Sequence, residues 1–166
     1  MQQELENKLQ ETLNIAEEIH EKEKQVELQV KLAAELASRL SAGRKSQVAG
    51  LEEKVNALLK KVGMPNARIR VELSDTPLND FGKDDVEFLF DANKSNRFEP
   101  MKKVASGGEL SRLMLCIKSL VARSMDMPTL LFDEIDSGIS GEAARQVGII
   151  LKDLSQKRQV ICITHQ

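Results

Sequence analysis

The sequence predicts an α/β protein: parallel strands with flanking helices and a small β region, preceded by one long N-terminal coiled-coil helix. Three observations predict it. No proline precedes Pro65 and no glycine precedes Gly43, so nothing interrupts a helix over the first third of the chain. Two short stretches after Pro65 alternate apolar and polar residues. From Val104 onward, helical patterns alternate with short apolar runs, which is how a parallel α/β unit reads.

The long helix comes first. Leu5, Leu9, Ala16, Ile19, Val26, Val30, Ala33, Ala37 and Leu40 follow alternating spacings of four and three, broken only by Thr12 and Glu23. A repeat averaging about 3.5 residues is the seam of a coiled coil. From Leu5 to Leu40 it would run about 54 Å at the helical rise. A helix this polar is marginal alone, so a partner helix is implied, either elsewhere in the same protein or in another copy. The pattern continues through Leu51, Val55, Leu58 and Leu59 and stops at Gly63-Met64-Pro65, a helix-terminating sequence. This divides the chain into an arm, residues 1–62, and a second domain, residues 63–166.

Ile69, Val71 and Leu73, separated by charged residues, form the first predicted strand; Val86, Phe88 and Phe90 form the second. Ser74 to Asp85, with Pro77 and Gly82, is expected as a loop, and residues 91–103 as a second polar connection. Ser106-Gly107-Gly108-Glu109 then opens a helix whose apolar face is Leu110, Leu113, Met114, Ile117, Leu120 and Val121. Thr129 to Phe132 forms a strand stopped by Asp133-Glu134. A helix is predicted over Glu142 to Leu154. Val160 to Ile163 forms a last strand ending at Thr164-His165. The two late strands are expected to be buried on both faces.

Composition narrows the function classes. Aromatics make up 3% of the chain, with no Trp or Tyr, so the core must be aliphatic. A formal charge of −2 gives no global signal for nucleic acid. Cys116 and Cys162 lack metal-ligand spacing and are expected to be buried, reduced thiols. No apolar run is long enough for a membrane span, so no membrane partner is expected and the expected location is cytoplasmic.

Ligands of open parallel sheets bind at the carboxyl ends of strands, where Asp133 and Glu134 fall. The first acid there can hold Mg²⁺ and the second can orient or deprotonate a water; taken alone the signal is weak, because a strand followed by two solvated acids is common. Ser106 with Glu109 makes a capping box. Capping alone does not call for Gly107 and Gly108, which weaken a helix. Glycines at a helix start let backbone N–H groups approach a phosphate. His165 follows a strand at the same sheet end and could donate to a phosphate.

Taken together, this order resembles the signature motif, Walker B motif and H-loop of ABC ATPases. Glu109, where transporter members usually carry Gln, and the preceding arm make it similar to the SMC-like group, which includes Rad50. Within that group, Lys103–Arg112, Phe132–Gly141 and Gly63–Ala67 most resemble members acting in bacterial DNA double-strand break repair. The resemblance covers the whole chain, loosely in the arm and strongly from residue 104. It implies the C-terminal lobe of an ABC-type head in a protein that binds and hydrolyses ATP with Mg²⁺. In that frame Asp133 supports Mg²⁺, Glu134 is the catalytic carboxylate and His165 senses the γ-phosphate. Ser106, Gly107, Gly108 and Glu109 reach the nucleotide of the opposite protomer. Asp136, Ser137, Gly138 and Ser140 form the D-loop; many ABC heads carry an aspartate at the position of Ser140, which leaves its side-chain role open. The implied partners are DNA, a second copy through ATP-sandwiched heads, the N-terminal lobe of the same protein and the recombinase RecA, with nucleoid association.

No GxxxxGK[ST] motif occurs; Gly43-Arg44-Lys45 and Gly82-Lys83-Asp84 lack its spacing and hydroxyl. The chain is therefore expected to be a fragment carrying the Walker B half of each composite site, and to be inactive alone. Two other readings remain: a condensin- or Rad50-type ATPase, which a much longer arm would distinguish, and a non-enzymatic coiled-coil scaffold with a degenerate head. The intact Ser106, Asp133, Glu134 and His165 count against the scaffold. An ABC transporter subunit is disfavoured by the arm.

Overall fold

The structure, a computed structural model, describes residues 2–103, 107–122, 125 and 127–164, with side chains from residue 14 onward. Helix α1 runs Gln2–Lys61 without a break. Two strands follow, β1 (Arg68–Asn79) and β2 (Gly82–Asp91), then a short β3 (Glu99–Pro100) and a 3₁₀ turn, Met101–Lys103. Helix α2 (Gly107–Val121), β4 (Thr129–Asp133), α3 (Gly141–Ser155) and β5 (Gln159–Ile163) complete the order.

The chain divides into two compact units. In the first, Met1–Lys45 with Asp75–Asp84, the arm carries Ser41 and Arg44 against the hairpin end. Asp84 accepts from Ser41 Oγ at 2.6 Å and from Arg44 Nη1 at 3.1 Å, and Arg44 also donates to the Phe81 carbonyl at 2.8 Å. The Ser41 hydroxyl is the chief cause holding the Asp84 carboxyl below its ordinary range; burial opposes it and the Arg44 guanidinium reinforces it. The expected loop over Ser74–Asp85 is instead strand on both sides of a turn at Asp80 and Phe81. Pro77 is tolerated because β1 is an edge of the β1-β2-β3 sheet, where a missing N–H breaks no ladder.

The second unit, Ser46–Ser74 with Asp85–Gln166, holds the aliphatic core. Val55 and Leu59 on α1 and Val62 just after its end, spaced four and three, are completely buried. They join Ile69, Phe90, Leu113, Leu115, Leu130, Phe132, Ile135, Val147 and Leu154 in one cluster. The edge amides of β1 are satisfied by α1: Val71 N donates to Glu52 Oε1 at 2.7 Å and Ile69 N to Asn56 Oδ1 at 2.8 Å. At the helix end, Gly63 has φ +83, and a Cβ there would meet Ala143 Cβ at 3.0 Å. Asp91 organises the loop after β2. Burial would raise its carboxyl, but donors from Ser95, Asn93 and Asn96 outweigh that and hold it low.

Strands β4 and β5 pair in parallel, Thr129 opposite Gln159 through Asp133 opposite Ile163. The expectation of burial on both faces is corrected. Leu130 and Phe132 face the core, whereas Leu131 is 54% exposed, Ile161 43% and Ile163 44%. Cys162, expected to be buried, is also exposed, on the other face of β5 and level with Phe132, while Cys116 is buried. The described helices supply cover for one face of this pair of strands, and the apolar composition of the strands anticipated cover on the other. Among the described residues no helix is long and apolar enough to cross a membrane.

Candidate nucleotide site

The site is assembled where β4 ends. The carboxyl end of β4 lies beside the amino end of α2, where Gly107 approaches Glu134. Asp133 is the last residue of β4 and is exposed. Glu134 leaves the strand with φ +53, an uncommon conformation for a residue with a side chain. Its backbone is held from both sides: Glu134 N donates to the Ile163 carbonyl at 3.1 Å, and Ser137 N donates to the Glu134 carbonyl at 3.2 Å. Between them Ile135 is 1% exposed and anchors the loop in the core. Asp136, Ser137 and Gly138 continue it, Gly138 at φ +69. Ser140 is the N-cap residue of α3, without a side-chain cap hydrogen bond.

The two glycines at the start of α2 lie directly against this loop. A Cβ built on Gly107 would stand 2.8 Å from Glu134 Oε2, and one on Gly108 would meet Ser137 Cβ at 3.0 Å and its carbonyl at 3.2 Å. Arg112, one turn along α2 and nearly buried, donates from Nη1 to the Ser137 carbonyl at 2.6 Å. Burial lowers its pKa, opposed by the negative charge of Glu109. Arg112 was not singled out as a site residue; its place four residues after Gly108, on the same helix face, is the sequence signal for it.

The structure thus brings Gly107 to Glu134 and Gly108 and Arg112 to Ser137, with Asp133, Asp136 and Gly138 next to them along the chain, while Glu109 faces the loop after β2 beside Asp91 and Asn93. Ser106 and His165 lie outside the described residues. Among the described residues no group of three His, Cys, Asp or Glu side chains gathers to hold a metal. One exposed carboxylate at Asp133 fits Mg²⁺, which is commonly bound through one or two carboxylates plus substrate phosphates rather than by an all-protein cage.

A parallel strand buried on one face and ending in two acids, with a glycine-opened helix beside it, belongs to a fold shared with Smc head domains. The solved Smc head domain of Pyrococcus yayanosii, with coiled coil and joint, matches at a TM-score of 0.51 and 24% identity over 74% of this chain and 22% of that one. The Pyrococcus furiosus Smc head domain with an extended coiled coil matches at 0.50 and 22%, over 74% of this chain and 29% of that one. These likenesses show the fold. The sequence is more particular: DNA repair protein RecN of Treponema pallidum is 41% identical over 133 residues. RecN of Rickettsia typhi is 45% identical over 130 residues, and that of Haemophilus influenzae 42% over 129. Each alignment covers 76% of this chain and 23% of the relative. By sequence, then, the chain matches a C-terminal fragment of RecN, and it spans about a quarter of the length of the curated relatives it matches. No family model matches.

Proposed function

We propose that the chain, residues 1–62 as return arm and 63–166 as C-terminal lobe, is part of an SMC-like ATPase whose heads close on ATP to drive DNA binding and tethering in double-strand break repair. The observation that carries this reading is the seating of Asp133 and Glu134 at the carboxyl end of β4, beside the glycine-opened start of α2. The RecN relatives support the repair role by name.

In this reading Asp133 holds Mg²⁺ and Glu134 orients and deprotonates the attacking water. Mg²⁺, when bound, neutralises charge on the phosphates. The start of α2 offers backbone N–H groups and the positive end of its dipole to the γ-phosphate of the partner protomer's ATP. Ser106 and Glu109 frame that end, and His165 contacts the terminal phosphate on its own side. The D-loop, Asp136 to Ser140, passes between the heads. The Walker A loop comes from an N-terminal lobe of the same protein. DNA, a second copy and RecA are the proposed partners, at the nucleoid in the cytoplasm.

Complementation tests this. In the longer protein, Ser106→Arg alone and a Walker A lysine variant alone should each be inactive. Mixed, they should recover part of the ATPase rate, because heterodimers hold one site built from undamaged halves. A mixture as dead as its components, with heterodimers demonstrably formed, would sink the in-trans assignment. The 166-residue chain alone should show no turnover above background.

A further inference from the structure

The approach of Gly107 to Glu134 lies within one chain, whereas the role proposed above for the α2 start is across the dimer. The carboxylate Oε2 stands where a Cβ on residue 107 would need to be, at 2.8 Å. The Glu134 backbone has little freedom to adjust, being hydrogen-bonded to Ile163 and Ser137 at a positive φ, with Ile135 buried beside it. What would yield to a methyl group at 107 is therefore the carboxylate itself, the far end of a side chain that can rotate. The neighbouring glycine differs: at 108 the obstacle is Ser137 Cβ and backbone, with the Arg112 guanidinium at 3.2 Å. One glycine spaces the backbone of the loop; the other spaces its carboxylate.

We propose that Gly107 is a positioning residue for Glu134 of its own chain, so that the first residue of α2 serves two ATP sites, its own through Glu134 and the partner's through its backbone. This rests on the assignment of Glu134 as the catalytic carboxylate. The carboxylate settles against the helix start, where unpaired N–H groups favour an anion. From 2.8 Å, a methyl group at 107 pushes the carboxylate away by roughly half an ångström before contact becomes ordinary, and since a displacement of about 1 Å at a catalytic group can cost roughly 10²-fold in rate, half of that costs roughly ten-fold.

Heterodimers separate the two roles. Mixing Gly107→Ala with the Walker A lysine variant forms one site that has an intact phosphate loop and an intact partner α2. Its Glu134, however, lies on the same chain as the alanine. If Gly107 acted only across the dimer, this mixture would recover as much activity as the Ser106→Arg mixture. The expected result is roughly ten-fold less, and equal recovery overturns the proposal. Loss of recovery in both mixtures would instead strike the in-trans assignment, and the proposal then stands or falls on a second measurement. In the 166-residue chain, Glu134→Ala should speed amide hydrogen exchange in the first turn of α2 about five-fold, the effect of a lost helix-start acceptor, while Glu142→Ala leaves that turn unchanged. Unaltered exchange at residues 107–110 in Glu134→Ala overturns the contact whatever the kinetics show. A ¹³C-labelled carboxyl resonance of Glu134 that is unmoved by Gly107→Ala does the same.

Discussion

Residues 15–30 and 51–61 belong to one helix and follow one rhythm, yet their apolar side chains have opposite surroundings. Ile15 is 57% exposed, Val26 61% and Val30 56%, while Val55 and Leu59 are completely buried. The later residues are covered by strands and helices that the same chain supplies. The earlier ones present a seam with none of the described chain over it. Periodicity identifies the face that needs cover; where the cover comes from depends on what else is folded nearby. The two halves of the helix therefore differ in what depends on them: one is part of a core with a site built on it, the other is a surface prepared for a partner.

The sharpest test of that division is chemical. Glu134→Gln in the longer protein should slow ATP hydrolysis by roughly 10² to 10⁴, leaving nucleotide binding largely intact, because the amide keeps the shape but cannot take a proton. Val26→Ala in the arm should leave the basal rate near the parental one. Parental turnover by Glu134→Gln would remove the chemistry from the loop after β4.

Stability gives the next contrast. Leu59→Ala should destabilise the chain by about 2–5 kcal/mol in urea unfolding, the cost of a buried leucine and the cavity left behind. Val26→Ala should stay within about 0.5 kcal/mol, as for an exposed side chain. If Val26→Ala costs as much as Leu59→Ala, the arm is already paired within or between copies of this chain.

The cysteines extend the comparison into the sheet. Burial pushes the Cys116 thiol up to about 12, so native chain at pH 8 should label at one thiol only. That thiol is Cys162, held above its ordinary value first by partial burial and then by the negative charge of Asp136. Asp136→Asn should make it react faster.

The smallest effect concerns acid. Asp84 titrates below its unfolded value, so it contributes stability above the unfolded pKa, and that contribution is lost as pH falls through the folded one. Ser41→Ala removes the chief cause of the depression. The Asp84 carboxyl should then titrate closer to its ordinary value by NMR, and the midpoint of acid unfolding should move to higher pH. The same sign holds for Asp91 when Ser95→Ala removes one of its donors.

Much of this was legible in the residues. The end of α1 at Lys61, the alternation that became β1 and β2, and the order of glycine-opened helix, strand, two acids and second strand all come from local rules, which act over a few neighbouring positions. The extension of β1 through Pro77 was not legible, because a proline is harmless on an edge and which strand is the edge is settled by pairing. Nor was the bare face of β4 and β5: apolar composition expresses a demand for cover and does not identify the element that meets it. The pairing of Gly107 with Glu134 and of Gly108 with Ser137 joins residues separated by more than two dozen positions. Sequence alone determined that a glycine-opened helix and a strand ending in acids would exist. Their contact at ångström range was decided by the tertiary structure, because it depends on how α2 packs against β4 and on the turn that Glu134 makes as the chain leaves the sheet.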